Sequence, residues 1–96
     1  MKTGIELIAE ERQEQILKHN RTVQEDVYLN NSFQLLDAAS ILLRSPFDQF
    51  FESDMEGLPV GWDIDIFRKM LLKPYKERLI IAGALIAAEI DRLNNQ

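Results

Sequence analysis

The sequence predicts an all-α protein: a compact bundle of about four helices, with an apolar C-terminal helix in its core, assembled as a homo-oligomer. Three observations predict it. Capping signals stand at the starts of segments whose apolar residues recur at helical spacing. No stretch alternates apolar and polar residues between turn signals, as a half-buried strand would. Ten successive residues, Leu79 to Ala88, carry no polar side chain.

The elements follow in order. Thr3-Gly4-Ile5-Glu6 is a capping box, in which the threonine oxygen and the glutamate close the first turn reciprocally. The first helix should run from Gly4 to His19 and give way at Asn20. Ile5, Ile8, Arg12 and Ile16 form one stripe on it. Glu6, Glu10, Glu14 and Lys18 form the row beside it, with Glu14 and Lys18 ordered for an i,i+4 pair. A second box, Thr22-Val23-Gln24-Glu25, opens a short helical turn over Val23 to Leu29. Asn30-Asn31-Ser32 is a turn and cap signal. Phe33 to Arg44 reads as a second long helix, apolar on most sides and therefore buried.

Ser45-Pro46 places a cap and an N1 proline before one further turn through Phe51. Residues 52 to 61 contain Gly57, Pro59 and Gly61 and form the long loop. Asp63 caps a third helix over Ile64 to Leu72, and Pro74 both ends it and opens the last helix, Pro74 to Leu93. The apolar run in that helix falls well short of the ~18 residues that cross a bilayer. It is a core helix or an oligomer seam. Gly83 in its middle costs about 1 kcal/mol relative to alanine, so something should approach the backbone closely there. One chain of 96 residues hardly covers so apolar a helix, hence the expected homodimer or larger closed assembly.

Composition sets the outer bounds. With 96 residues, 46 % of them apolar, residues 1–96 make a single globular domain rather than a disordered chain. Eleven basic against 16 acidic residues give a net charge of −5, which argues against a general nucleic-acid binder. The absence of cysteine removes disulfides, thiolate zinc sites and thiol nucleophiles. The acidic opening, Met1-Lys2-Thr3-Gly4-Ile5-Glu6, lacks the apolar core of a signal peptide, so a cytoplasmic protein without membrane partners is expected. No Walker loop, G-x-G-x-x-G, H-E-x-x-H or G-x-S-x-G occurs, and His19, the sole histidine, sits where it favours a helix end.

Three features could carry chemistry. Glu11 and Glu14 have the E-x-x-E form, and Gln34 and Asp37 would be E-x-x-D if Gln34 were glutamate. Such pairs on antiparallel helices hold Mg²⁺, which prefers anionic oxygens and bridges to nucleotide phosphates. Arg12 interrupts an apolar stripe, so it pairs with a carboxylate of a neighbouring helix or clamps a phosphate. Arg68, Lys69, Lys73, Lys76 and Arg78 concentrate positive charge beside Trp62 and Tyr75, at the start of a helix. That is a recipe for a nucleotide: helix end and cations for the phosphates, a ring for the base.

Ile5 to Gln13 resembles the opening of a group of small phage and prophage proteins, and Lys73 to Leu79 with Ala82 to Leu93 resembles their close. Gly61-Trp62-Asp63 is similar to their approach to the final helix. The group is the MazG-like, dATP/dGTP diphosphohydrolase-related family, and the resemblance spans about half the chain. It implies an all-helical oligomer of a bacterial host cell in which Glu11, Glu14 and Asp37 hold Mg²⁺. Gln34 departs from the family's acidic pair, and Trp62 lacks the second tryptophan common there.

The expected function is nucleotide binding by Arg12, Trp62, Lys73, Tyr75, Lys76 and Arg78, sequestering a nucleotide or cyclic nucleotide signal of anti-phage defence without hydrolysis. The alternatives are a Mg²⁺-dependent nucleoside triphosphate diphosphohydrolase and a structural helical adaptor that binds protein. The residues leave open whether the chain is an enzyme.

Overall fold

In a computed structural model, residues 1–19, 33–44, 58 and 62–95 are described. Helix α1 spans Gly4–His19. Its capping box is closed on both sides: Thr3 N–H donates to Glu6 Oε1 at 3.0 Å, and Glu6 N–H donates to Thr3 Oγ1 at 3.2 Å. Helix α2 spans Gln34–Leu42, shorter at both ends than the apolar pattern suggests. Helix α3 spans Ile64–Leu71, with Asp63 Oδ1 accepting from Ile66 N–H at 2.9 Å. Helix α4 spans Tyr75–Asn94 and starts directly after Pro74.

Among the described residues there is no strand, and no helix is long and apolar enough to cross a membrane. The Val23–Leu29 turn, the Ser45-Pro46 turn, nearly all of the 52–61 loop and the side chains of Lys18 and His19 lie outside the described residues.

Each of the other helices packs against α4, α2 and α1 most extensively. Leu35, Ala38 and Leu42 of α2 meet Ile81, Leu85 and Ala88 of α4 in one buried cluster, which Phe67 and Leu71 of α3 complete. Small residues in both helices, Ala38 and Ala39 against Ala82 and Ala88, let the backbones lie close. The expectation that α2 is buried on most sides is corrected. Leu35, Ala38, Ala39, Ile41 and Leu42 are buried, whereas Phe33, Leu36 and Leu43 are exposed. A neighbouring helix covers only one face of a cylinder, and α4 is the main neighbour of α2 among the described residues.

Gly83 has the close neighbour its position requires, and that neighbour is α1. A Cβ built on Gly83 would lie 2.7 Å from Ile8 Cδ1 and 3.0 Å from Ile8 Cγ1. The glycine thus admits α1 to the backbone of α4 within one chain. The predicted stripe on α1 also needs correction. Ile8 and Ile16 are half-buried and Arg12 is buried, but Ile5 is 83 % exposed. Gln15, three residues beyond Arg12, completes the buried face instead.

Candidate cleft at the amino end of the last helix

The contact between α1 and α4 leaves a cleft of about 270 Å³. Leu7, Glu10, Glu11 and Glu14 line it from α1; Lys73, Glu77, Ile80 and Ile81 line the other wall. The E-x-x-E spacing accounts for Glu11 and Glu14: residues three apart on a helix point the same way. Lys73 Nζ lies 3.7 Å from Glu77 Oε2, a solvent-exposed pair that holds neither side chain firmly. Two sets of residues singled out for different chemistry, the acidic pair and a lysine of the basic cluster, therefore share one cleft.

At the mouth of this region α4 begins without a side-chain cap, since Pro74 offers no hydrogen-bonding group. The first intrahelical bond runs from Arg78 N–H to Pro74 O at 3.0 Å, so the amides of the first turn before it have no partner within the helix. Lys76, in that turn, is exposed. The helix dipole and lysines together favour an anion.

Arg78, expected among the ligand-binding cations, is not part of an exposed basic patch. It is only 3 % exposed. Its Nε–H donates to Lys73 O at 3.2 Å and its Nη1 donates to Leu42 O at 3.1 Å. Leu42 is the last residue of α2, where carbonyls lack helical partners and the dipole is negative, so a guanidinium closes that end. Arg78 also lies over the ring of Tyr75, 5.5 Å from its centroid, occupying a face of the ring that was expected to stack on a base.

Arg12 and Trp62 are likewise placed away from the cleft. Arg12 Nη2 faces Asp91 Oδ2 at 3.6 Å, which is the pairing to a neighbouring helix that its position on an apolar stripe allows. Asp91 is near the far end of α4, roughly 24 Å along the axis from Tyr75 at 1.5 Å per residue. Trp62 packs edge-on against Phe67, ring centroids 6.2 Å apart, and anchors the entry to α3. Asp37 is exposed on α2 and does not line the cleft with Glu11 and Glu14. Among the described residues no three carboxylate or imidazole groups gather as a metal site.

Some participants were not visible in the sequence. Glu10 and Glu77 as cleft walls and Asp91 as the partner of Arg12 depend on how α1 and α4 cross. Gln15 could have been found, because it lies seven residues after Ile8 and three after Arg12.

No family model matches this chain, and no curated protein or solved structure matches it either. Fold and cleft together define an all-helical protein built around its last helix, with a charged cleft of mixed sign at that helix's amino end.

Proposed function

We propose that the protein is a nucleotide-binding module that holds a phosphate group at the amino end of α4 with Mg²⁺ as a bridge, without hydrolysing it. The supporting observation is that Glu11 and Glu14 line the same cleft as Lys73, beside the uncapped first turn of α4. Mg²⁺ is commonly held by one or two carboxylates together with the phosphates themselves, so this pair suffices without a third protein ligand. The ion screens Glu10, Glu11, Glu14 and Glu77 from the anion, while Lys73, Lys76 and the amino-terminal dipole of α4 favour it directly. In this reading Arg12, Trp62 and Arg78 hold the fold, and Lys73, Tyr75 and Lys76 remain the ligand-facing members of the expected set.

Titration calorimetry with nucleoside triphosphates and cyclic dinucleotides, with and without Mg²⁺, tests it. Affinity should depend on Mg²⁺, and Glu11→Gln with Glu14→Gln should remove that dependence. Lys76→Ala should weaken binding by about 1.5–3 kcal/mol, the range of a charge-assisted contact, with folding unchanged. Affinity that never responds to Mg²⁺ or to these substitutions removes the reading. A second reading, a helical protein-binding adaptor, draws on Phe33, Leu36 and Leu43, the apolar side chains exposed along α2. No nucleotide would then change the thermal stability, whereas a ligand at a hundred times its dissociation constant adds about 2.7 kcal/mol.

A further inference from the structure

Gln15 departs from the pattern of the helix that carries it. Its side chain is 2 % exposed, on the face of α1 that also buries Arg12, where packing favours an apolar residue. Nε2 donates to Glu11 Oε1 at 3.5 Å, and Oε1 has no hydrogen-bond partner among the described residues. An unsatisfied buried carbonyl costs about 1–3 kcal/mol, and so long a bond offsets little of that. Polar groups held inside against stability are expected where a site needs them.

The cleft is one helical turn away. Glu11 is half-buried, whereas Glu10 and Glu14, its neighbours on the same wall, are exposed. Glu11 thus belongs both to the cleft and to the buried side of α1, where Gln15, four residues on, lies next to it. A carboxylate accepts and does not donate, so the chemistry fixes which end of the amide faces it.

We propose that Gln15 is a positioning residue for the cleft: its buried amide holds the Glu11 carboxylate in the direction from which it takes a divalent cation. The proposal rests on the Mg²⁺-bridged reading and adds to it which carboxylate is oriented in advance. Restricting a glutamate before an ion binds lowers the ordering cost of binding. Burial makes Gln15 effective in this, because an amide that cannot turn to water restricts Glu11 even through a long bond. Outer hydrogen bonds to metal-ligating carboxylates typically matter by roughly 10–100-fold in metal affinity. A single bond of this length belongs at the low end, about tenfold.

Mn²⁺ serves as the probe, since it takes the same oxygen ligands as Mg²⁺ and its free ion is counted by electron paramagnetic resonance. Gln15→Met keeps the length of the side chain without its donor, and Gln15→Leu is a second such variant. Either should weaken Mn²⁺ binding about tenfold with a Tm at or above that of the wild type, a combination that damage to the fold does not produce. Gln13→Met, on the exposed side of α1, should leave the affinity unchanged. In heteronuclear NMR spectra the Gln15 side-chain amide signals should shift when Mg²⁺ is added to the wild type, and stay in place in Glu11→Ala. Should both Gln15 variants fold poorly, these signals decide. Wild-type Mn²⁺ affinity in a folded Gln15→Met or Gln15→Leu protein overturns the proposal. So does an equal loss in Gln13→Met, or an amide signal that Mg²⁺ does not move while the ion binds. A wild-type chain that binds neither Mn²⁺ nor Mg²⁺ overturns the metal-bridged reading itself, which separates the two failures.

Discussion

Replacing Arg78 by methionine separates a structural arginine from a ligand-binding one. Methionine preserves most of the buried stem but removes the donors to Leu42 O and Lys73 O. A hydrogen bond from a charged donor contributes about 1.5–3 kcal/mol. The Lys73 carbonyl lies in a partly buried turn where water can replace the arginine, so the loss is dominated by Leu42 O, 36 residues away in sequence and buried. Adding the lost cation at the carboxyl end of α2, about 0.3–1 kcal/mol, brings the expected destabilisation to about 3 kcal/mol. For a domain of this length that lowers Tm by roughly 12–24 °C, at ~4–8 °C per kcal/mol. Urea unfolding followed by circular dichroism measures it directly, with Arg78→Lys falling between the two because lysine reaches a single carbonyl. If Arg78→Met unfolds within about 0.5 kcal/mol of the wild type, the bonds to α2 contribute nothing and the reasoning fails. A simultaneous loss of nucleotide affinity would return Arg78 to the ligand site.

Gly83→Ala should gain about 1 kcal/mol of helix propensity and lose about 1–3 kcal/mol against Ile8, whose Cδ1 would lie 2.7 Å from the new methyl. In an Ile8→Val background that clash is relieved, so Gly83→Ala should become neutral or stabilising; equal effects in both backgrounds would show that Ile8 already yields freely. Gln15 Oε1 is buried with no hydrogen-bond partner among the described residues, and Nε2 donates only a long bond of 3.5 Å to Glu11, so Gln15→Leu should stabilise the fold by about 1 kcal/mol in thermal denaturation; a loss of stability would show that the amide is satisfied. Glu6 has its carboxyl held below the ordinary range by its bonds to the Thr3 amide and hydroxyl. Its folded form binds a proton less tightly than the unfolded chain does. The contribution to stability is therefore complete above the unfolded pKa and lost as pH falls through the lowered one. Glu6→Gln should flatten the acid limb of the stability profile, and an NMR titration of Glu6 at the ordinary carboxylate value would refute this.

Local signals were legible where a few neighbouring residues decide the outcome. Thr3 and Glu6 close a turn with each other, Asp63 reaches an amide three residues on, and Pro74 sets the start of α4 by its own ring. The all-helical class followed from the same short-range rules. Glycine at position 83 announced a close approach, because a helix gives up stability to keep it, but could not say that Ile8 was what approached. Similarly, Arg12 on an apolar stripe demanded a counter-charge without naming Asp91.

What only the tertiary structure decided is which side of each helix has a neighbour. Amphipathic periodicity places residues on a face, and whether that face meets water, another helix or a second chain depends on crossings between segments far apart in sequence. Ile5 shares a stripe with Ile8 and is exposed; Arg78 shares a charge cluster with Lys76 and is buried against α2. The cleft follows the same logic. Glu11 and Lys73 are brought together only because α1 packs against α4. A sequence carries the charges and their spacing along one helix, but the packing of two helices decides whether opposite charges meet across a cleft or stand apart in water.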